Sequence, residues 1–221
     1  MNTQLYLIPI LAVTVIFLIR AEILKIRKQS FLFKPISTLL IIAIAGLSFF
    51  EPGYNQTYSI GILIGLLFSF GGDLALLFQE KRKPFMIGLV LFLIAHIIYA
   101  ATFSLLGRFT IWDIFTAVIL LAAGLAFYKL IVHNLGTMKV SVIAYILIIS
   151  LMVNRAFSTF ASPSLSSAQA WMISIGAVLF YISDIILAAN RFWRSWHYNR
   201  ISLAFYFSGQ LLIALAGSYF G

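Results

Sequence analysis

This chain of 221 residues is 62% hydrophobic and only 10% charged, with a mean hydropathy of +1.05. Soluble domains carry about 25% charged residues, so a water-soluble fold is excluded and lipid is the matching solvent. The net charge of +9 falls in short clusters between apolar runs, which argues against nucleic-acid binding and for orientation signals, and the absence of cysteine excludes disulfides, thiolate metal sites and thiol nucleophiles.

In chain order, eight apolar segments are expected as helices: Leu5–Ile19, Pro35–Phe50, Tyr58–Phe78, Phe85–Leu105, Ile111–Ile131, Val140–Phe160, Ala168–Ala189 and Ile201–Phe220. A helix crosses the hydrocarbon with about 20 residues, and ~17 suffice at the short end. The first segment lacks a basic leader and a small-residue cleavage site, so it reads as a retained helix. The expected fold is all-α, a polytopic bundle of about eight transmembrane helices forming a single domain over residues 1–221. The connections alternate in charge. All of the 15 lysines and arginines except Arg108 and Arg155 fall at the odd-numbered connections. By the positive-inside rule that side is cytoplasmic, and both termini lie outside.

An internal repeat is visible. Segment three reads Gly65-Leu-Leu-Phe-Ser-Phe-Gly-Gly-Asp73-Leu-Ala-Leu76, and segment seven reads Gly176-Ala-Val-Leu-Phe-Tyr-Ile-Ser-Asp184-Ile-Ile-Leu187. Lys34 and Lys139 open segments two and six, and His96 aligns with Gln210 in segments four and eight. These matches suggest two parallel four-helix halves, 1–106 and 107–221.

Asp73 and Asp184 are the candidate catalytic pair, expected about two turns inside the basic end at matched depth. An aspartate at a helix centre costs about 2.5–3.5 kcal/mol on insertion scales, so retaining two suggests a shared polar cavity. Two facing carboxylates in a low dielectric cannot both ionise easily, leaving one acid protonated beside an anion. That arrangement suits general acid/base chemistry and equally suits proton carriage, and the residues alone do not choose. Each acid could also serve only to pair with a basic side chain. Substrate-binding candidates are Lys34 at the mouth of segment two, His96 and Tyr99 in segment four, Asn190 ending segment seven, and Tyr206 with Gln210 on one face of segment eight. Arg155, beside Asn154, needs a partner or a wet cavity. No metal or cofactor is expected: His133 and His197 lie near loops far from His96, and no paired-histidine helix spacing occurs.

In the order and spacing of these pieces the sequence resembles the YhhN-like family, whose characterised members include lysoplasmalogenases. The resemblance rests on Phe33-Lys34-Pro35, the segment ending at Gly72-Asp73, and Gly88 through Ala95-His96 and Tyr99. It continues in Leu151 to Arg155-Ala156, Ser183-Asp184 with Leu187-Ala188 and Asn190, and Tyr206 to Gln210. It implies a membrane hydrolase that cleaves the vinyl ether bond of a lysoplasmalogen to a fatty aldehyde and a glycerophospho-alcohol, with the paired aspartates mapping onto Asp73 and Asp184. The expected partners are then a lysophospholipid substrate and the surrounding membrane lipids. The expected location is the plasma membrane (the inner one in a bacterium), with the site toward the cytoplasm. The alternative is a proton-coupled small-molecule or lipid transporter using the same acids.

Overall fold

The computed structural model describes residues 3–194, 196 and 200–218. Among these the chain forms eight α-helices and no strand: α1 (Leu7–Ile23), α2 (Arg27–Leu47), α3 (Gln56–Leu76), α4 (Arg82–Leu106), α5 (Ile111–Ile131), α6 (Lys139–Ser158), α7 (Ser167–Phe192) and α8 (Ile201–Ala216). Helices satisfy their own backbone polar groups, which lipid cannot do. Each expected segment is therefore a helix. Six stretches, containing α2 to α7, are long and apolar enough to cross a membrane. α1 and α8 are shorter, with 17 and 16 residues.

Two boundaries differ from expectation. α2 begins at Arg27, so Lys34 and Pro35 lie inside the helix instead of opening it. A proline costs its helix one N–H donor; beside it the Ser37 hydroxyl donates to the Phe33 carbonyl at 2.8 Å, and the Thr38 oxygen stands 3.2 Å from the Lys34 carbonyl. α3 ends at Leu76 while α7 runs on to Phe192. The two aspartates therefore differ in their distance from a helix end, Asp73 lying within the last turn and Asp184 well inside. His197 and Phe220 fall outside the described residues.

Some of the helix ends carry capping side chains. Thr110 with Asp113, and Ser166 with Gln169, form capping boxes at α5 and α7, where side chains satisfy the unpaired N–H groups of the first turn. α1 closes in a Schellman motif, with Ile26 N–H on the Ala21 carbonyl at 2.8 Å and Lys25 N–H on Glu22 at 3.4 Å. The left-handed residue at such an end is usually glycine, but here it is Lys25, at φ 56°. A side chain in that conformation costs about 1 kcal/mol.

Without a hydrophobic drive between helices in lipid, association depends on close packing and polar contacts. The bundle uses both. Its perimeter is apolar, with residues such as Ile16 and Val118 well exposed, whereas Ser37, Thr38, Asp73, His96 and Gln210 are buried. The closest helix pairs are α3 with α4 and α7 with α8. In the second pair Gly176 and Gly209 meet backbone to backbone, so a Cβ on Gly209 would lie 2.6 Å from the Gly176 carbonyl oxygen. Backbone cannot give way as a side chain can. Gly209→Ala is expected to destabilise the fold by about 1–3 kcal/mol, the range for overpacking, measured by thermal unfolding in detergent.

The basic connections gather at one end of the bundle. Residues from the α1–α2, α3–α4 and α7–α8 connections line a common vestibule there, and Arg82 bonds to Thr137, tying in the α5–α6 connection.

Candidate active site

Asp73 is buried on α3 between α2 and α8. Its carboxylate accepts hydrogen bonds from Thr38 and Tyr206 hydroxyls, both at 2.7 Å, and lies 3.2 Å from the Lys34 ammonium. The early start of α2 explains this pairing. Lys34 is two turns into the helix and only 7% exposed, so it turns inward to an acid. The expectation of a lysine at the membrane mouth is corrected accordingly.

Asp184, on α7, has a sparser environment. Tyr145 of α6 donates to Oδ2 at 2.6 Å, and His96 Nε2 stands 3.8 Å from the same oxygen, beyond direct hydrogen-bond reach. The His96 ring is fully buried and packs edge-on against Tyr145 and Phe180, with centroids at 5.4 and 4.6 Å. Among the described residues, then, three donors stand on Asp73 and one on Asp184.

The two acids line the same cavity, a chamber of about 50 Å³ shared with Lys34, Phe92 and Tyr206. It adjoins two neighbours. Toward the basic end is the vestibule, about 430 Å³, which shares Glu22, Leu77, Gln79 and Arg200 with the chamber. The second neighbour is an apolar slot of about 60 Å³ among α4, α5, α6 and α7, which shares Phe92 and Asp184 with it. Leu76 and Leu187 border all three.

The other site candidates divide by position. Lys34 and Tyr206 line the chamber and Asn190 lines the vestibule. Tyr99 and Gln210 do not reach the chamber wall but form a second layer: Tyr99 donates to Gln210 at 3.0 Å, and Gln210 stands 3.5 Å from the Tyr206 hydroxyl. His96 likewise supports the chamber from behind Asp184. Arg155 has its partner in Asp113 at the opposite end, with Asn154 donating to the Asp113 carbonyl at 2.7 Å. Thr38 and Tyr145, which touch the acids directly, are absent from the sequence candidates. The chain has 10 tyrosines, and nothing in the spacing of Tyr145 distinguishes it from the rest.

Fold and site together define an integral membrane protein, a helical bundle with paired intramembrane carboxylates open to its charged end. The YhhN family model matches residues 29–217, and the chain belongs to the YhhN family. It is 30% identical over 161 residues to "Lysoplasmalogenase TMEM86A" of Bos taurus, and equally to the protein of that name from Homo sapiens. Each match covers 70% of this chain and 64% of the relative, so the chain spans just under two thirds of these curated relatives. No solved structure matches.

Proposed function

We propose that this protein is a membrane-embedded hydrolase that cleaves the vinyl ether bond of a lysoplasmalogen, with Asp184 as general acid and Asp73 as fixed negative charge. The observation that carries this reading is the adjacency of three cavities: a polar vestibule, a chamber with two acids and an apolar slot. A lysolipid has three parts to match them: headgroup, reactive bond and chain. The names of the relatives support the substrate class.

The roles follow from the donors. Asp73 accepts from Lys34, Thr38 and Tyr206, which hold its oxygens in place facing the chamber. Asp184, with one hydroxyl donor, is the acid with a proton to give. Its proton adds to the β-carbon of the vinyl ether, and the π electrons shift to leave an oxocarbenium ion beside the Asp73 carboxylate, which stabilises it. Water attacks the cation and gives its proton back to Asp184. The hemiacetal then collapses to aldehyde and alcohol, so one water is consumed per bond cleaved and both acids are restored.

The positive-inside pattern supports placing the chamber toward the cytoplasm, with all eight helices crossing and both termini outside. Two parallel halves are consistent with the matched partners of the acids. Asp73 meets its own half through Thr38 and the other through Tyr206; Asp184 meets Tyr145 and, across the halves, His96.

The test is direct. Purified protein incubated with lysoplasmalogen is expected to release free fatty aldehyde, and none from a saturated lysophospholipid of the same headgroup. Failure to release aldehyde, together with proton-dependent flux of intact substrate across sealed vesicles, would make the protein a transporter.

A further inference from the structure

His96 is fully buried on α4, and neither of its ring nitrogens finds a hydrogen-bond partner among the described residues. The Phe92 carbonyl, one turn earlier, lies beside the ring but meets neither nitrogen in hydrogen-bond geometry. A buried polar group left in that state costs stability, and an apolar side chain would avoid the cost. His96 is also absent from the walls of all three cavities, so it is not placed to touch a bound lipid.

What the ring faces is Asp184. Nε2 stands 3.8 Å from Oδ2, the oxygen that already accepts the Tyr145 hydroxyl at 2.6 Å. Tyr145 also packs edge-on against the imidazole, with centroids 5.4 Å apart, and Phe180 does so at 4.6 Å. An imidazole set between two rings has little freedom to turn, so its nitrogen stays aimed at the acid. Side chains from α4 and α6 thus converge on one carboxyl oxygen of α7. That leaves the other oxygen, Oδ1, to carry the proton of the acid.

We infer that His96 is a positioning residue for Asp184: with Tyr145 it fixes Oδ2 and so presents the proton on Oδ1 to the vinyl ether. The inference rests on the hydrolase reading, with Asp184 as general acid. As the O–H bond breaks and the new C–H bond forms, negative charge reaches Oδ2. The hydrogen on Nε2 then closes on that oxygen, the distance falling from 3.8 Å to about 3.0 Å, an ordinary hydrogen bond. No proton moves to or from His96. When water attacks the oxocarbenium ion its proton returns to Oδ1, and the contact lengthens again. A contact that tightens only during proton transfer speeds the chemical step without strengthening substrate binding.

The experiment compares His96→Leu, which is close in volume and has no donor, with His96→Gln, whose amide places an N–H near the position of Nε2. The leucine variant is expected to lower kcat for aldehyde release by roughly 10- to 100-fold with KM unchanged, the effect of losing one hydrogen bond to a charged group in the transition state. The glutamine variant is expected to recover most of kcat. His96→Leu is also expected to melt at a higher temperature than the wild type, because the unpartnered nitrogens are gone. Slower turnover in a more stable protein does not come from misfolding. His96→Met is the second apolar variant, its flexible side chain filling the site if leucine does not pack. Unchanged kcat in the apolar variants overturns the inference. A glutamine variant as slow as leucine overturns it too, since the ring itself would then carry the proton. A raised KM at unchanged kcat overturns it by making His96 a substrate contact.

Infrared spectroscopy tests the contact without hydrolysis. In alkaline buffer, the wild-type spectrum minus that of Asp184→Asn isolates the carboxylate stretch of Asp184. That band is expected to shift in His96→Leu and to return toward its wild-type position in His96→Gln. The other titratable groups nearby are the same in both variants: Tyr145 on the acid itself, and Lys34, Asp73, Tyr206 and the Glu22–Arg200 pair, 3.2 Å apart, around the chamber. A band that does not move in His96→Leu overturns the positioning role even where aldehyde is released. A shifted band in a protein that releases no aldehyde removes the hydrolase reading and leaves the contact between His96 and Asp184 standing.

Discussion

Asp184→Asn is expected to lower aldehyde release by about 10³-fold, within the range for losing a general acid, while leaving the protein folded. The amide has the shape of the acid and can still accept the Tyr145 hydroxyl through its oxygen, so the one close hydrogen bond at this position survives. What it cannot do is deliver the proton. Among the described residues no ion pair within 3.5 Å is broken, since the basic side chain facing this acid, His96, stands 3.8 Å away. Aldehyde release measured beside circular dichroism and size exclusion in detergent separates chemistry from folding here. Near-normal turnover would remove Asp184 from the mechanism.

Asp73→Asn differs because it breaks a buried pair. The Lys34 ammonium is left in the bundle without its carboxylate, and an orphaned buried charge costs about 3–5 kcal/mol. The single variant is therefore expected to be both inactive and markedly less stable. Adding Lys34→Met removes the orphaned charge, and the double variant is expected to regain most of the stability without regaining activity. A thermal unfolding cycle over the wild type, both single variants and the double variant measures the coupling. A double variant no more stable than Asp73→Asn would show that Lys34 and Asp73 do not act as a pair. Recovery of aldehyde release in that variant would remove the Asp73 carboxylate from the chemistry.

These two variants distinguish aspartates that the sequence presents as equals. Their motifs match residue for residue at glycine, aspartate and leucine, and apolar surroundings make both conspicuous. Their surroundings make them unequal. Lys34 and Thr38 belong to a helix that starts earlier than its apolar run, because Arg27 and Lys28 stand at its polar end. The apolar-run rule reads where a helix enters hydrocarbon and not where its hydrogen bonding begins. Placing Lys34 at a mouth is the consequence of that rule. The same rule places both acids at one depth, whereas α3 ends at Leu76, within a turn of Asp73, and α7 runs on to Phe192, more than two turns past Asp184.

Composition and hydropathy by themselves determined that this chain lives in lipid, forms helices at eight places and gathers its basic residues at alternate connections. Those properties follow from each residue's own transfer energy and need no partner. Lone acids in apolar helices also mark themselves, since their cost is local. Which side chains meet across helices was decided only by the tertiary structure. Tyr145 on Asp184, Tyr206 and Thr38 on Asp73, and Glu22 on Arg200 are contacts between segments remote in the chain. Helix rotation and tilt set them through packing at Gly65, Gly72, Gly176 and Gly209, and an apolar pattern exposed to lipid on one side and to protein on the other does not encode that rotation in its period.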